Sequence, residues 1–180
     1  GSTPSTKDEA NYSSLDYCFI KPSDIPNNCI SSINESEYYI SKEAYSRSRK
    51  LPKGTVLTTC IGIIGKVGIL ETDATCNQQI NAIVPNETVI SRFLAYNIIS
   101  RKEYMQGIAN APVVPIINKK EFSKIPIPVP PLSIQERIVS ELDCISGIIE
   151  KKKEQLKELD ALAQSIFYTM FGDPVENDKG

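Results

Sequence analysis

The stretch "CIGIIGKVGIL", Cys60 to Leu70, sets Gly62, Gly65 and Gly68 around Lys66. Glycine beside lysine is common material for a phosphate cradle, because glycines let backbone N–H groups turn toward an anion and the ammonium adds charge. The strict spacing G-x-x-x-x-G-K-[ST] fails here. With its last G-K on Gly65 and Lys66, Cys60 stands where the first glycine belongs, and Val67 stands where a hydroxyl must hold magnesium. The dinucleotide spacing G-x-G-x-x-G fails as well, since these glycines recur every third residue. The residues predict a glycine turn between the strands "TVLTTC" and "VGIL".

Other reactive residues narrow the chemistry further. The 180 residues include no histidine, which removes Ser-His and Cys-His nucleophile pairs and every His-containing zinc site. The five cysteines, Cys18, Cys29, Cys60, Cys76 and Cys144, are odd in number and form no C-x-x-C pair. They are expected as reduced, mostly buried thiols rather than a disulfide framework or a metal site. No metal or cofactor is expected.

Length and hydropathy set the frame in which these residues are held. A chain of this size is one domain, or one domain with an extension. It has no run of 18 apolar residues and no signal peptide, so a cytoplasmic protein without membrane contact is expected. The net charge of −2 is unevenly placed. Between Lys42 and Lys66 six basic residues face one acidic residue, Glu43, whereas the chain after Leu132 is acidic. The front therefore carries a local basic cluster.

"DYCFI", "GTVLTTC", "KVGIL" and "QQINAIV" read as strands bounded by Pro, Gly, Asn and Asp. "TVISRFLAYNIISRKEY" reads as a helix capped by Thr88, with Ile90, Phe93, Leu94 and Ile98 on one face. "NKKEFSKI" reads as a short helix with Asn118 as cap and Glu121 three residues on. Pro126, Pro128, Pro130 and Pro131 then make an extended connector, since none fits a helix interior or a central strand. Ser133 and Glu136 have capping-box spacing, and Gly172 and Pro174 are stop signals after Phe171.

The helix between them carries a heptad. Leu142, Ile149, Leu156, Ala163 and Met170 recur every seven residues, as do Ile138, Ile145, Lys152, Leu159 and Ile166. Together they form a seam broken only by Lys152. Such a seam is a coiled-coil face that requires a partner helix. At about 57 Å, from 1.5 Å per residue, it is longer than a compact domain needs. No second helix of comparable length is expected in this chain. The fold class is α+β: a strand-rich domain over residues 1–131, a long spacer or dimerisation helix over 132–172, and a tail over 173–180.

The segment "IPIPVPPLSIQERIVSELDCISGIIEKKKEQLKELDALAQSIFYTMFGDP" resembles the specificity subunit of type I restriction-modification systems. Its proline run, P-P-L-x-x-Q-x-x-I-V and M-F-G-D-P carry the likeness. "GSTPST" resembles the opening G-x-T-P-S of that family, "FIKPSDI" its next segment, and "LPKGTVLTTCIGIIGKVGIL…CNQQI" its central one. "ANAPVVPIIN" and "DEANYSS" depart from the pattern, the first lacking a polar G-S/T-x-Q-x-N character and the second a Trp. The resemblance implies a target-recognition domain that reads one half of a split DNA site, and a helix that sets the spacing between halves. It implies methyltransferase (M) subunits docked on the chain and restriction (R) subunits in the full complex. The chemistry and S-adenosylmethionine would belong to the M subunits. Cys60–Leu70 then resembles a G-x-x-G-K turn, with Lys66 a contact to a DNA phosphate.

A DNA-reading module needs Arg or Lys for guanine and Asn or Gln for adenine. "SKEAYSRSRK" and "TCNQQ" supply both. The candidate DNA-binding residues are Lys42, Tyr45, Ser46, Arg47, Arg49, Lys50, Lys53, Lys66, Asn77, Gln78 and Gln79. Arg47 and Arg49 face one side if the segment is extended, and Lys50 and Lys53 suit phosphates. An enzymatic reading finds little support: an adenine methyltransferase needs N/D-P-P-Y/F, and this chain has V-P-P-L. A coiled-coil adaptor would explain the helix but not the basic front domain. The expected assembly is a homodimer paired antiparallel through Ile138, Leu142, Ile145, Ile149, Leu156, Leu159, Ala163, Ile166 and Met170.

Overall fold

The computed structural model describes residues 1–27, 29–109 and 114–172. The Pro174 stop signal, the 173–180 tail and part of "ANAPVVPIIN" lie outside them. The chain divides into two units, Gly1–Glu136 and Arg137–Gly180.

The first unit holds two small sheets. Strands β1 (Tyr17–Ile20), β3 (Tyr39–Ile40) and β6 (Ala74–Cys76) form one, in the order β3-β1-β6. Strands β2 (Ile30–Ile33), β4 (Val56–Thr59), β5 (Val67–Leu70) and β7 (Ile80–Ile83) form the other, in the order β2-β5-β4-β7. β1 pairs with β6, and β2 with β5, in parallel; the remaining pairs are antiparallel. Helices α1 (Lys42–Arg47), α2 (Ser91–Ser100), α3 (Lys102–Ile108) and α4 (Lys119–Phe122) complete the unit.

β4 and β5 are buried at every residue, which explains why neither alternates apolar with charged residues. Val56, Val67 and Ile69 face a cluster with Leu94, Ala95 and Ile98 of α2 and Met105 of α3. The alternate residues Leu57 and Leu70 join Ile33 and Ile80 against Cys18, Ile20, Ala74 and Cys76 of the other sheet. The second sheet is thus the middle layer of the core.

The four sequence-read strands are present, and β2, β3 and β6 are additional. β3 and β6 are too short for periodicity to register, and β2, "ISSI", is half polar. The helix read over "TVISRFLAYNIISRKEY" is two helices, broken at Arg101 (φ −95°, ψ 8°). Thr88 does not cap it, because its N–H and hydroxyl both donate to Asn86 Oδ1. Asn118 does cap α4, accepting from the Glu121 N–H at 2.9 Å.

"SKEAYSRSRK" is not extended through Arg47. Ser41 accepts from the Ala44 N–H at 3.3 Å and starts α1, with Glu43 in the first turn and Arg47 in the last, the signs the helix dipole favours.

Helix α5 (Leu132–Phe171) runs 40 residues. It begins one residue before Ser133, so that residue lies inside the helix rather than at its cap. The Pro131 carbonyl accepts from Ile134 and Gln135 instead. Gly172, at φ 81°, ends the helix in the left-handed region and donates its N–H to Tyr168 O at 2.9 Å. Among the described residues no helix is long and apolar enough to cross a membrane.

Candidate functional site

The glycine turn commits the N–H groups that a phosphate would need. Gly62 donates to Pro115 O at 3.1 Å and Gly65 to Thr59 O at 3.0 Å. Lys66 donates its N–H to Thr59 Oγ1 at 3.1 Å, and that hydroxyl donates in turn to Ile63 O. The Lys66 ammonium donates to Pro22 O at 2.8 Å. Lys66 therefore ties the turn to the loop after β1 through one of the three N–H donors of its ammonium.

Several other candidates also serve the fold. Tyr45 is buried and stacks on Tyr17, with ring centroids 3.7 Å apart, and burial raises its pKa. It shapes the surface from beneath instead of projecting from it. Asn77 is buried and exchanges bonds with Gln79: its Nδ2 donates to Gln79 Oε1 at 3.0 Å, and its Oδ1 accepts from Gln79 N at 3.0 Å. These two amides hold the turn after β6. Lys53 pairs with Glu71 at 3.5 Å and lines a separate cleft with Ser32 and Arg92.

The remaining residues are exposed: Lys42, Ser46, Arg47, Arg49, Lys50 and Gln78. Ser46 Oγ and Arg47 Nε both donate to Glu43 O, so each lies along its own helix. Lys50 sits 5.9 Å from the Tyr45 ring centroid. Burial raises the pKa of Cys76, opposed by the positive charges of the N-terminal amine and, more weakly, of Arg49.

Residues the sequence did not single out join them. Arg47 shares a cleft of about 260 Å³ with Thr3, Ser5, Asn11 and Ser48. Thr3 Oγ1 donates to Gln78 Oε1 at 2.7 Å. The opening segment therefore links the end of α1 to the turn after β6. The only signal for this in the sequence is the three hydroxyls in "GSTPS". The exposed candidates offer guanidinium, ammonium, amide and hydroxyl groups, and Asp8 adds a carboxylate to the cleft at Arg47. Among the described residues no cluster of His, Cys, Asp or Glu could hold a metal.

The second unit presents the heptad seam. Ile138 and Leu142 are half-buried, whereas Ile145, Ile149, Leu156, Leu159, Ile166 and Met170 are exposed. Leu156 is 62 % exposed and Met170 65 %, values for uncovered side chains. Ile148, Leu162, Phe167 and Phe171 widen the apolar surface beyond the two heptad rows.

A two-sheet α+β domain followed by a long helix with an uncovered apolar seam defines the fold class. The model of the type I restriction modification DNA specificity domain matches residues 1–160, and the chain belongs to that family. It is 32 % identical over 99 % of its length to the type I restriction enzyme MjaIX specificity subunit of Methanocaldococcus jannaschii, covering 43 % of that protein. It is 30 % identical over 79 % of its length to the EcoR124I/EcoR124II specificity subunit of Escherichia coli, covering 37 %. The chain thus spans about two fifths of these relatives. The fold matches the crystal structure of the HsdS subunit from Thermoanaerobacter tengcongensis with a TM-score of 0.67, at 22 % identity, covering 96 % of this chain and 41 % of that one. A chain from a solved type I restriction-modification assembly gives a TM-score of 0.73 at 20 % identity, covering 92 % of this chain and 40 % of that one.

Proposed function

We propose that this chain is a non-catalytic, sequence-specific DNA-reading subunit of a type I restriction-modification system. It reads one half of a bipartite duplex target, docks M subunits, and joins R subunits in the full complex. The family match across residues 1–160 carries this reading. The exposed Arg47, Arg49, Lys50 and Gln78 supply chemistry that fits base edges and phosphates. The chain itself needs no cofactor, and its place is the cytoplasm, with the DNA.

The α5 seam pairs antiparallel with a second copy of the chain. The positions Leu142 with Ile166, Ile149 with Leu159, Ile145 with Ala163 and Ile138 with Met170 are symmetric about Glu154. An antiparallel pair centred there brings each residue against its symmetry mate in the partner. Lys152 then faces Leu156 instead of another Lys152. The twofold axis places two recognition domains in inverted orientation, which calls for an inverted-repeat target.

The test is a complex of this chain with an M subunit, selected against a randomised duplex library. Recovery of a split, inverted motif supports the reading. An adaptor without DNA readout is the second reading, favoured by the uncovered seam alone. It predicts no salt-dependent duplex binding by the chain and no selected motif.

A further inference from the structure

We propose that Gln78 reads an adenine of the target and that Thr3 is the positioning residue that holds its amide for the task. This rests on the DNA-reading function above. Of the three amides in sequence at the turn after β6, two are engaged with each other: Asn77 and Gln79 exchange two bonds of 3.0 Å. Gln78 lies between them and is exposed. Its side chain takes a bond from outside the turn, the 2.7 Å donation from Thr3 Oγ1 to Oε1.

Thr3 is itself held from both sides. Ser2 donates its N–H to Cys76 O at 3.1 Å. Pro4 O accepts from the Tyr12 hydroxyl at 3.0 Å, and Ser5 O accepts from Nδ2 of buried Asn11 at 2.9 Å. The opening segment is therefore clamped to β6 and to the turn over Glu9–Tyr12, and its hydroxyl arrives at a set place.

The chemistry follows from what Thr3 leaves free. With Oε1 accepting from Thr3, Gln78 keeps one lone pair on Oε1 and both hydrogens on Nε2. An acceptor beside a donor complements N6–H and N7 of adenine in the major groove. A glutamine free in solution must give up side-chain freedom on binding, and the Thr3 bond removes part of that cost beforehand. Arg47 lines a cleft with Thr3, which the carboxylate of Asp8 also lines.

The experiment uses this chain assembled with an M subunit and selects from a randomised duplex library, with base preference read position by position. The wild type selects adenine at one position. Gln78→Ala abolishes that preference, by about 5- to 150-fold, and leaves other positions unchanged. Gln78→Glu moves the preference toward cytosine, whose N4–H₂ donates to a carboxylate. Thr3→Val weakens preference at the same position, and Thr3→Ser retains it. The Gln78 variants alter an exposed side chain and carry the test even where Thr3→Val lowers stability. Unchanged preference at every position in Gln78→Ala overturns the proposal. So does a Thr3→Val loss spread evenly over all sequences. A wild-type complex without any sequence preference instead overturns the DNA-reading function itself.

Discussion

Gln135 Oε1 accepts the Ile90 N–H at 2.9 Å, joining the first turn of α5 to the start of α2 across 45 residues. Ile90 has no side-chain cap of its own, so Gln135 satisfies a helix-end donor that would otherwise lack a partner. Its Nε2 donates to Thr88 O and Pro130 O, each at 2.8 Å, and the side chain is fully buried. The glutamine of P-P-L-x-x-Q thus works as an internal cap. Gln135→Ala removes the side-chain partner of one part-buried donor and two part-buried carbonyls, and is expected to cost about 1–3 kcal/mol. Gln135→Glu keeps the acceptor but sets a carboxylate against two carbonyls, and should be no better. Urea unfolding measures both, and a change below about 1 kcal/mol in either would contradict this role.

Gly68 owes its place to a close approach. A Cβ there would lie 2.3 Å from Cδ1 of Ile33, the strand neighbour in the core. Gly68→Ala should therefore destabilise the domain by about 1–3 kcal/mol through overpacking. Ile33→Val removes the opposing Cδ1, so the double variant should recover part of the loss. Additive losses in the double-mutant cycle would show that the contact is not the cause.

The cysteines should divide by burial. Cys18, Cys60 and Cys76 are buried, whereas Cys29 and Cys144 are exposed. Burial pushes the Cys60 thiol from 9.0 up to about 11, despite the opposing bond from Asn81 Nδ2. Native protein at pH 8 should take alkylation at Cys29 and Cys144, and denatured protein at all five cysteines. The neutral thiol is favoured by the fold, so its contribution is whole below pH 9 and falls as pH rises toward about 11. Cys60→Ala should flatten the loss of stability over that window. A wild-type urea midpoint that rises from pH 9 to 11 would have the wrong sign.

Lysines of the basic cluster should separate in DNA binding. Lys50 is exposed, and Lys50→Ala should weaken all sequences alike and lower the salt slope by about one unit. Lys66 is tied to Pro22 O, so Lys66→Ala should lower stability and leave the salt slope unchanged. Equal slope changes for both would return Lys66 to the DNA surface.

The seam should decide assembly. Leu156→Asp puts a charge into the pairing face and should give a monomer by sedimentation at micromolar concentration, with the front unit still folded. A chain carrying Ile149→Cys and Leu159→Cys should form a reversible disulfide dimer under oxidation if the pair is centred on Glu154. Absence of that cross-link, with the wild type a monomer, would sink the antiparallel homodimer.

Much of this protein was determined by residues close in sequence. β1, β4, β5 and β7 follow from short stretches rich in β-branched and apolar residues between turn residues, and β4 and β5 need no alternation because both of their faces are buried. The α4 cap and the α5 seam are likewise local, since a helix repeats its faces within a few residues. The tertiary structure decided which polar residues are available to a partner. Lys66 and Tyr45 have the right chemistry for DNA, but each is engaged by a group that folding brings alongside, whereas Asn77 and Gln79 engage each other within one turn. Thr3 and Gln78 stand 75 residues apart, and no periodicity connects them. Gln135 and Ile90 are joined in the same way. Local pattern reports which face of an element is apolar, but a hydrogen bond between distant residues exists only once the packed core has set both backbones in place.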